Sequence, residues 1–281
     1  ALAKLETSKS FTRELLKKYD IEGNIKFQVF TKDNIDEIND FLNVMEILDF
    51  QDPRKQSFRE TGNSKGISKF TENRRFSREL KGIVVKPDGL TGGKGVKVQG
   101  DHFETKEEAI AYCKEVLETH PSVVVEEKLD GEEFSLQCLT DGKTVIATPP
   151  VQDHKRAFED DKGPNTGGMG SYSYENHLLP FLEKKHVEKA LEITKKVAAA
   201  LHEEFGEYYK GVMYGGFILT KDGVKLIEYN ARFGDPEAMN VLPLFKTDFA
   251  SLCHAIITQE LGRMKIEFEK KAAVCKYAVP E

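Results

Sequence analysis

The sequence predicts an α+β protein organised in lobes. Helical and strand-like stretches alternate irregularly along its 281 residues. Two pairs of strand-like runs are joined across Asp141-Gly142 and Asp222-Gly223, dipeptides whose tolerance of positive φ suits tight hairpins. Hairpins of this kind argue against a doubly wound parallel sheet, which separates its strands by crossover helices.

Residues 8 to 19, SKSFTRELLKKY, place Phe11, Leu15 and Leu16 on one helical face. Residues 34 to 48 repeat the period with Ile35, Ile38, Phe41, Leu42 and Met45, and the strand-like KFQVF lies between the two helices. From Asp49 to Lys81 the periodicity vanishes, and nine Lys or Arg against five Asp or Glu suggest a flexible, slightly basic insertion. The run GIVVK, the glycine-rich turn DGLTGGKGV and the strand-like VKV then form a hairpin over a glycine-rich tip.

Thr105 opens the next helix, with Glu108 completing a capping box and Ile110, Cys113 and Leu117 as its apolar stripe. VVVEEKL reads as a buried strand, and FSLQCLTDGKTVIATPP as the first Asp-Gly hairpin. From Gln152 to Glu175 neither period holds, so a long functional loop is expected. A helix with Val187, Leu191, Thr194, Ala198, Leu201 and Phe205 on one face follows, then the hairpin VMYGGFILT-KDG-VKLIEYNAR. The last helix is expected from Asp248 to Leu261, ending before Gly262.

Composition excludes several classes of protein. No run approaches the roughly 20 apolar residues of a membrane span, and no basic-then-apolar leader opens the chain. The net charge is -6 with both signs mixed, so no nucleic-acid footprint stands out. Cys113, Cys138, Cys253 and Cys275 lie far apart without a CxxC pair, which fits a reducing cytoplasm better than a disulfide framework. Nothing in the sequence speaks to oligomeric state. The opening on Ala1 and the close just after AAVCKYAV give both ends the look of a cut fragment.

Three clusters carry possible chemistry. The turn at residues 89 to 95 brings backbone N–H groups close together, where glycine lets phosphate oxygens approach. It is not a P-loop, because Lys94 precedes Gly95 and Asp88 holds the required earlier Gly position; nor is it a Rossmann turn, because a strand follows. A plain hairpin tip is the alternative, against which Lys86 at the end of the entering strand offers an ammonium for the same phosphates.

In KLIEYNAR, strand alternation puts Glu228, Asn230 and Arg232 on one face and Ile227, Tyr229 and Ala231 on the other. A carboxylate and an amide oxygen two residues apart can share Mg²⁺, although a solvated strand face gives the same pattern. In VVVEEKLDGEEFS, strand-end backbone and Leu129 would suit an adenine and Glu133 a ribose, while an acidic surface turn is the plainer account.

The segments VVKPDGLTGGKGV, EEKLDGEEFS, QDHKR, GPNTGGMGSYS and EYNARFGDPE, in this order, resemble the glycinamide ribonucleotide synthetase family of phosphoribosylamine–glycine ligases. The resemblance runs over about residues 1 to 265, and the DHKR and PNTGGMG segments distinguish that family from other ATP-grasp carboxylate–amine ligases.

It implies an ATP-grasp fold with ATP held between two α+β lobes. Residues 1–26 and 126–262 would form the larger lobe and 27–125 the smaller, including the polar insertion at 49–81. Residues 263–281 would begin a truncated carboxy-terminal domain, and the family's amino-terminal domain would be absent from this stretch.

The reaction implied is phosphorylation of glycine by ATP and attack of 5-phosphoribosylamine on the glycyl phosphate. By the same resemblance Lys9 and Lys86 hold the ATP phosphates under Gly92, Gly93 and Gly95. Glu126, Glu127 and Leu129 frame adenine, Glu133 binds ribose, and Glu228 with Asn230 binds Mg²⁺ or Mn²⁺. Arg232 would meet the glycine carboxylate or acyl phosphate, and Asp153 and Lys155 would orient the substrates. Asn165, Thr166, Gly167 and Gly168 would belong to a loop closing over them. A nucleotide-binding module without catalysis is the reading of another class, which would not need Lys86, Glu228, Asn230 and Arg232 together.

Overall fold

The computed structural model describes residues 1–50, 82–91, 95–159 and 162–279, without the side chains of 46–50 and 165. The insertion expected at 49–81 lies, from residue 51 on, outside the described residues, as do Gly92 and Gly93. The chain divides into two compact units: Lys26–Pro87 with Val96–Leu129, and Ala1–Ile25 with Asp88–Gly95 and Asp130–Glu281.

The smaller unit is an antiparallel sheet of β1 (Phe27–Phe30), β4 (Val123–Glu127), β2 (Ile83–Pro87) and β3 (Lys97–Val98), in that order. Helices α3 (Ile38–Phe50) and α4 (Lys106–Thr119) belong to the same unit. β4 lies between two partners, and Val123, Val124 and Val125 have no exposed surface. Burying each such valine contributes about 1.5–3 kcal/mol.

Below them lie Ala109, Cys113, Val116 and Leu117, spaced at three and four along α4. That helix begins in the expected capping box, with Thr105 Oγ accepting from Glu108 N and the Glu108 carboxylate accepting from Thr105 N.

The larger unit contains the sheet β10 (Gly223–Asn230), β9 (Gly211–Thr220), β5 (Glu132–Thr140) and β6 (Val145–Ala147). The 22-residue helix α5 (Lys184–Phe205) covers it, setting Ile193, Val197 and Leu201 in one core with Phe134, Leu136, Phe217 and Leu226. α5 stops where Gly206 takes φ 69°, the left-handed value that closes helix ends. At the Asp141-Gly142 turn the Asp141 carboxylate accepts from Lys143 N, Thr144 N and Leu261 N, fastening the hairpin to the end of the chain's last helical region.

The stretch expected to be a loop from Gln152 to Glu175 is a hairpin instead. β7 (Gln152–Phe158) pairs with β8 (Lys162–Ser173), and β8 pairs on its other side with β11 (Ala273–Lys276). Its strands cover no large apolar core and β8 is rich in glycine, so no alternation of apolar and polar residues marks them. Short helix α6 (Ala238–Val241) fastens this sheet. Asn240, fully buried, hydrogen-bonds the Ser171 hydroxyl and donates from Nδ2 to Ser171 O at 3.2 Å and Ala273 O at 2.8 Å.

Unit limits differ from the expected ones. β4 is hydrogen-bonded inside the smaller unit's sheet, so Glu126, Glu127 and Leu129 belong there, and the glycine-rich stem Asp88–Gly95 belongs with the larger unit. The strand at 273–276, expected to begin a further domain, is part of the larger unit's hairpin sheet. The last helix, α7 (Phe249–Thr258), starts as expected at its Asp248 cap but ends at Gln259 in a left-handed turn. No described helix is long and apolar enough to cross a membrane.

Candidate functional site

In the smaller unit Lys86 closes β2 and faces Glu126 of β4. Their Nζ–Oε2 distance is 2.6 Å with both side chains buried. The strand register puts Lys86 opposite Val124, which keeps the two charges adjacent. Glu127 uses its carboxylate to accept from Lys26 N at 3.1 Å, and Leu129 is half-buried at the end of the same run. Lys86, Glu126 and Glu127 are thus carried by adjoining strands, with Leu129 two residues beyond β4.

The larger unit gathers a second set. Ser8 caps α2 (Lys9–Lys18), accepting from Phe11 N, and the Asp88 carboxylate reaches the same helix end through Ser8 Oγ, Ser10 N and Ser10 Oγ. Lys9 Nζ donates to Gly89 O at 2.8 Å. The first turn of α2 and the stem of the glycine-rich turn are therefore one assembly.

A cleft on the larger unit is lined by Glu133 of β5, Asp153 and Lys155 of β7, Tyr214 of β9, and Ile227 and Glu228 of β10. Lys155 Nζ lies 3.5 Å from Glu133 and 3.7 Å from Asp153. Burial opposes the charge of Lys155, but Asp153, Glu133, Glu228 and Glu237 outweigh it and hold the ammonium above its usual range. Glu237, 2% exposed, accepts from the Tyr214 hydroxyl at 2.7 Å. Its own burial, and then Asp153, push its carboxyl above the ordinary carboxylate range. Burial likewise pushes the Tyr214 phenol well up.

Backbone irregularities aim these side chains. Between the His154–Gly170 and Arg156–Asn165 pairs, β8 has residues 166–169 where β7 has only Lys155. Such a bulge re-aims a side chain and breaks the ladder. Thr166 Oγ1 donates to Lys155 O at 2.9 Å and accepts from Gly168 N at 3.1 Å, holding the bulge in shape. The four residues expected in a closing loop are thus strand residues beside Lys155, Asn165 by its backbone pair with Arg156.

On β10 the register breaks between Leu226 and Glu228. The break corrects the simple alternation: Ile227 lines the cleft together with Glu228, while Tyr229 turns into the core. Asn230 and Arg232 follow. Arg232 is more than half exposed, pairs with Glu6 at 3.3 Å through Nε, and has Nη2 3.5 Å from Asn230 Oδ1. Among the described residues no three His, Cys, Asp or Glu side chains group to hold a metal ion.

Sequence reasoning gave no role to Glu237, Tyr214, Glu6 or Arg13. Glu237 closes the quoted segment EYNARFGDPE. Arg13 had a signal too, since it stands three residues before Leu16, on the face that buries. Tyr214 and Glu6 offered none.

Residues 46–238 match the family model described as the ATP-grasp (A) domain of phosphoribosylglycinamide synthetase. The phosphoribosylamine–glycine ligase of Methanocella arvoryzae is 50% identical over 239 residues, covering 83% of this chain and 55% of that protein. That of Methanococcus maripaludis is 46% identical over 281 residues, covering 99% and 56%. The chain spans about half the length of the curated relatives it matches.

Among solved structures, the phosphoribosylamine–glycine ligase of Thermotoga maritima aligns with a TM-score of 0.70 at 27% identity, over 97% of this chain and 59% of that one. An N5-carboxyaminoimidazole synthetase of Staphylococcus aureus aligns at 0.59 with 14% identity, over 96% and 56%, a likeness of fold alone. With its α+β units, this chain has the ATP-grasp fold and belongs to the phosphoribosylglycinamide synthetase family.

Proposed function

We propose that this chain binds ATP with a divalent cation, Mg²⁺ or Mn²⁺, and transfers the terminal phosphoryl group to the carboxylate of glycine. The amine of 5-phosphoribosylamine then attacks the glycyl phosphate, and glycinamide ribonucleotide, ADP and phosphate are the products. The observation that carries this reading is the cleft itself: three carboxylates, of Glu133, Asp153 and Glu228, line it together with the ammonium of Lys155. A triphosphate enters surroundings so acidic only with cations to offset its charge.

Glu228 and Asn230 offer hard oxygen donors of the kind Mg²⁺ takes, and two protein oxygens leave most of its six positions to phosphate and water. A bound cation would supply neutralisation of the charge that builds up on the phosphates.

The protein's own residues do the positioning on which phosphoryl transfer mostly depends. Lys86, fixed by Glu126, and Lys9, fixed at Gly89, are ammonium groups for the α- and β-phosphates. Gly92, Gly93 and Gly95 are assigned to the same phosphates. Glu126, Glu127 and Leu129 flank adenine, and Glu133 takes the ribose hydroxyls.

Lys155 keeps its proton across the neutral range and faces the acyl phosphate, with Asp153 beside it to orient the incoming amine. Arg232 receives the glycine carboxylate, a bidentate match of guanidinium and carboxylate. Asn165, Thr166, Gly167 and Gly168 shield the acyl phosphate from water. The reaction belongs in the cytoplasm, where the four free cysteines stay reduced.

Coupled ADP release tests the proposal, with Mg-ATP and glycine first and 5-phosphoribosylamine added second, against a Glu228→Ala variant. ADP formed only with both substrates, and lost in the variant, is the expected result. ATP binding without glycine-dependent turnover, or an undiminished variant, would overturn it.

A further inference from the structure

β10 is the outer strand of its sheet, and an outer strand ordinarily leaves a row of backbone groups to solvent. Here that edge meets the amino-terminal helices. Arg13 of α2, 1% exposed, donates from Nη1 to Leu226 O at 3.0 Å and from Nη2 to Ile227 O at 2.8 Å. Leu226 N donates to Gly23 O at 2.8 Å. These contacts fall on the register break that puts Ile227 and Glu228 into the cleft. A bulge leaves local ladder groups unpaired, and the rigid fork of a guanidinium matches two successive carbonyls in a way an ammonium does not.

Beyond Asn230 a second anchor appears. The Glu6 carboxylate accepts from Ala231 N at 3.0 Å and lies 3.3 Å from Arg232 Nε. Glu6 and Arg13 thus fasten the backbone on both sides of Glu228 and Asn230. Between them in sequence, Ser8, Lys9 and Ser10 hold Asp88 and Gly89, the stem of the glycine-rich turn. One short helical segment touches both elements that a cation and its phosphates would join.

We propose that Glu6 and Arg13 are positioning residues that fix Glu228 and Asn230 relative to the glycine-rich stem, and that the coupling of cation and ATP binding depends on them. The inference rests on the reading of Glu228 and Asn230 as cation ligands. Mg²⁺ demands near-ideal octahedral geometry, so a small shift of either oxygen is felt in affinity. Residues that orient metal ligands without touching the metal typically account for about 10–100-fold in affinity or activity when replaced.

The test is ATP affinity of the 281-residue chain by calorimetry, with Mn²⁺ and with chelator, in Glu6→Gln, Arg13→Lys and Glu228→Ala variants. For Glu6→Gln and Arg13→Lys, affinity in chelator stays within about twofold of the parent chain, while the enhancement by Mn²⁺ falls about tenfold or more. Enhancement unchanged in both variants overturns the proposal. So does an equal loss of affinity with and without Mn²⁺, the mark of a merely structural role. If Arg13→Lys does not fold, Glu6→Gln, at a partly exposed side chain, decides alone. A parent chain without Mn²⁺ enhancement, or a Glu228→Ala variant that keeps it, sinks the cation-site reading itself, a failure recognisable without the Glu6 and Arg13 variants.

Discussion

Replacing Asn240 by leucine keeps most of the side chain's bulk and removes every hydrogen bond it makes to β8 and β11. The Ser171 hydroxyl and Ser171 O at 3.2 Å lose a partner in a buried place, and Ala273 O at 2.8 Å loses one in a partly buried place. A buried polar group left without a partner costs about 1–3 kcal/mol, so the three together give about 3–9 kcal/mol. The loss is local, because these bonds join the three-stranded sheet to α6 and not to the core under α5. Hydrogen exchange read over 169–173 and 273–277 is the assay, with 193–201 in α5 as internal reference.

At about 1.4 kcal/mol per factor of ten, a loss at the lower end, about 3 kcal/mol, speeds exchange in the hairpin sheet by about a hundredfold and leaves the reference unchanged. Ser171→Ala, which strands only the Asn240 oxygen, has a smaller effect. Asp153 is the register partner of Ser171, so under the proposed function the Asn240 variant also slows glycine-dependent turnover. Unchanged exchange in β8 and β11, or equal acceleration in α5, would refute the view of Asn240 as a local joint.

Two neighbouring glycines differ sharply. Gly168 sits at φ +139° with an added Cβ 2.6 Å from Pro236 Cδ, so Gly168→Ala costs about 1–3 kcal/mol, whereas Gly167 has open space and Gly167→Ala stays within about 0.5 kcal/mol; urea midpoints measure both. Glu237 titrates above its ordinary 4.5 in the folded chain, which therefore holds that proton longer than the unfolded chain does. Its contribution to stability falls as pH rises from about 4.5 through the raised value. Urea midpoints followed over that window move in favour of Glu237→Gln with rising pH, and a constant difference would sink the assignment. Thr105→Ala removes the α4 cap and costs about 1 kcal/mol, seen in thermal melting.

The elements with an apolar face were legible because burial imposes a period. Thr105 with Glu108, the valines of β4, the Asp222-Gly223 turn and the α5 stripe all stand where the sequence puts them. The hairpin of β7 and β8 was not legible, because glycine has no side chain to alternate and its polar partners cover no large core. At β10 the alternation rule fails at one residue: the extra Ile227 opposite β9 returns Tyr229 to the face of Leu226. The cleft residues Glu133, Asp153, Lys155 and Glu228 come together on three strands, and only the motif resemblance linked them in advance. Arg13 escaped because a buried arginine is read as solvated unless its carbonyl partners, more than two hundred residues away, are known.

That separation bears on how the chain is made. Arg13 reaches the ribosome exit 213 residues before Leu226, which at about 5–20 residues per second is about 10–40 s. Meanwhile the smaller unit, complete by Leu129, has all its strands and can close on its own sheet. The amino-terminal helices must wait, with Arg13 hydrated, until β10 emerges. Nascent chains arrested before β10 would therefore carry a protease-resistant smaller unit behind a digestible first twenty-five residues, and the larger unit would form last, from its two ends inward.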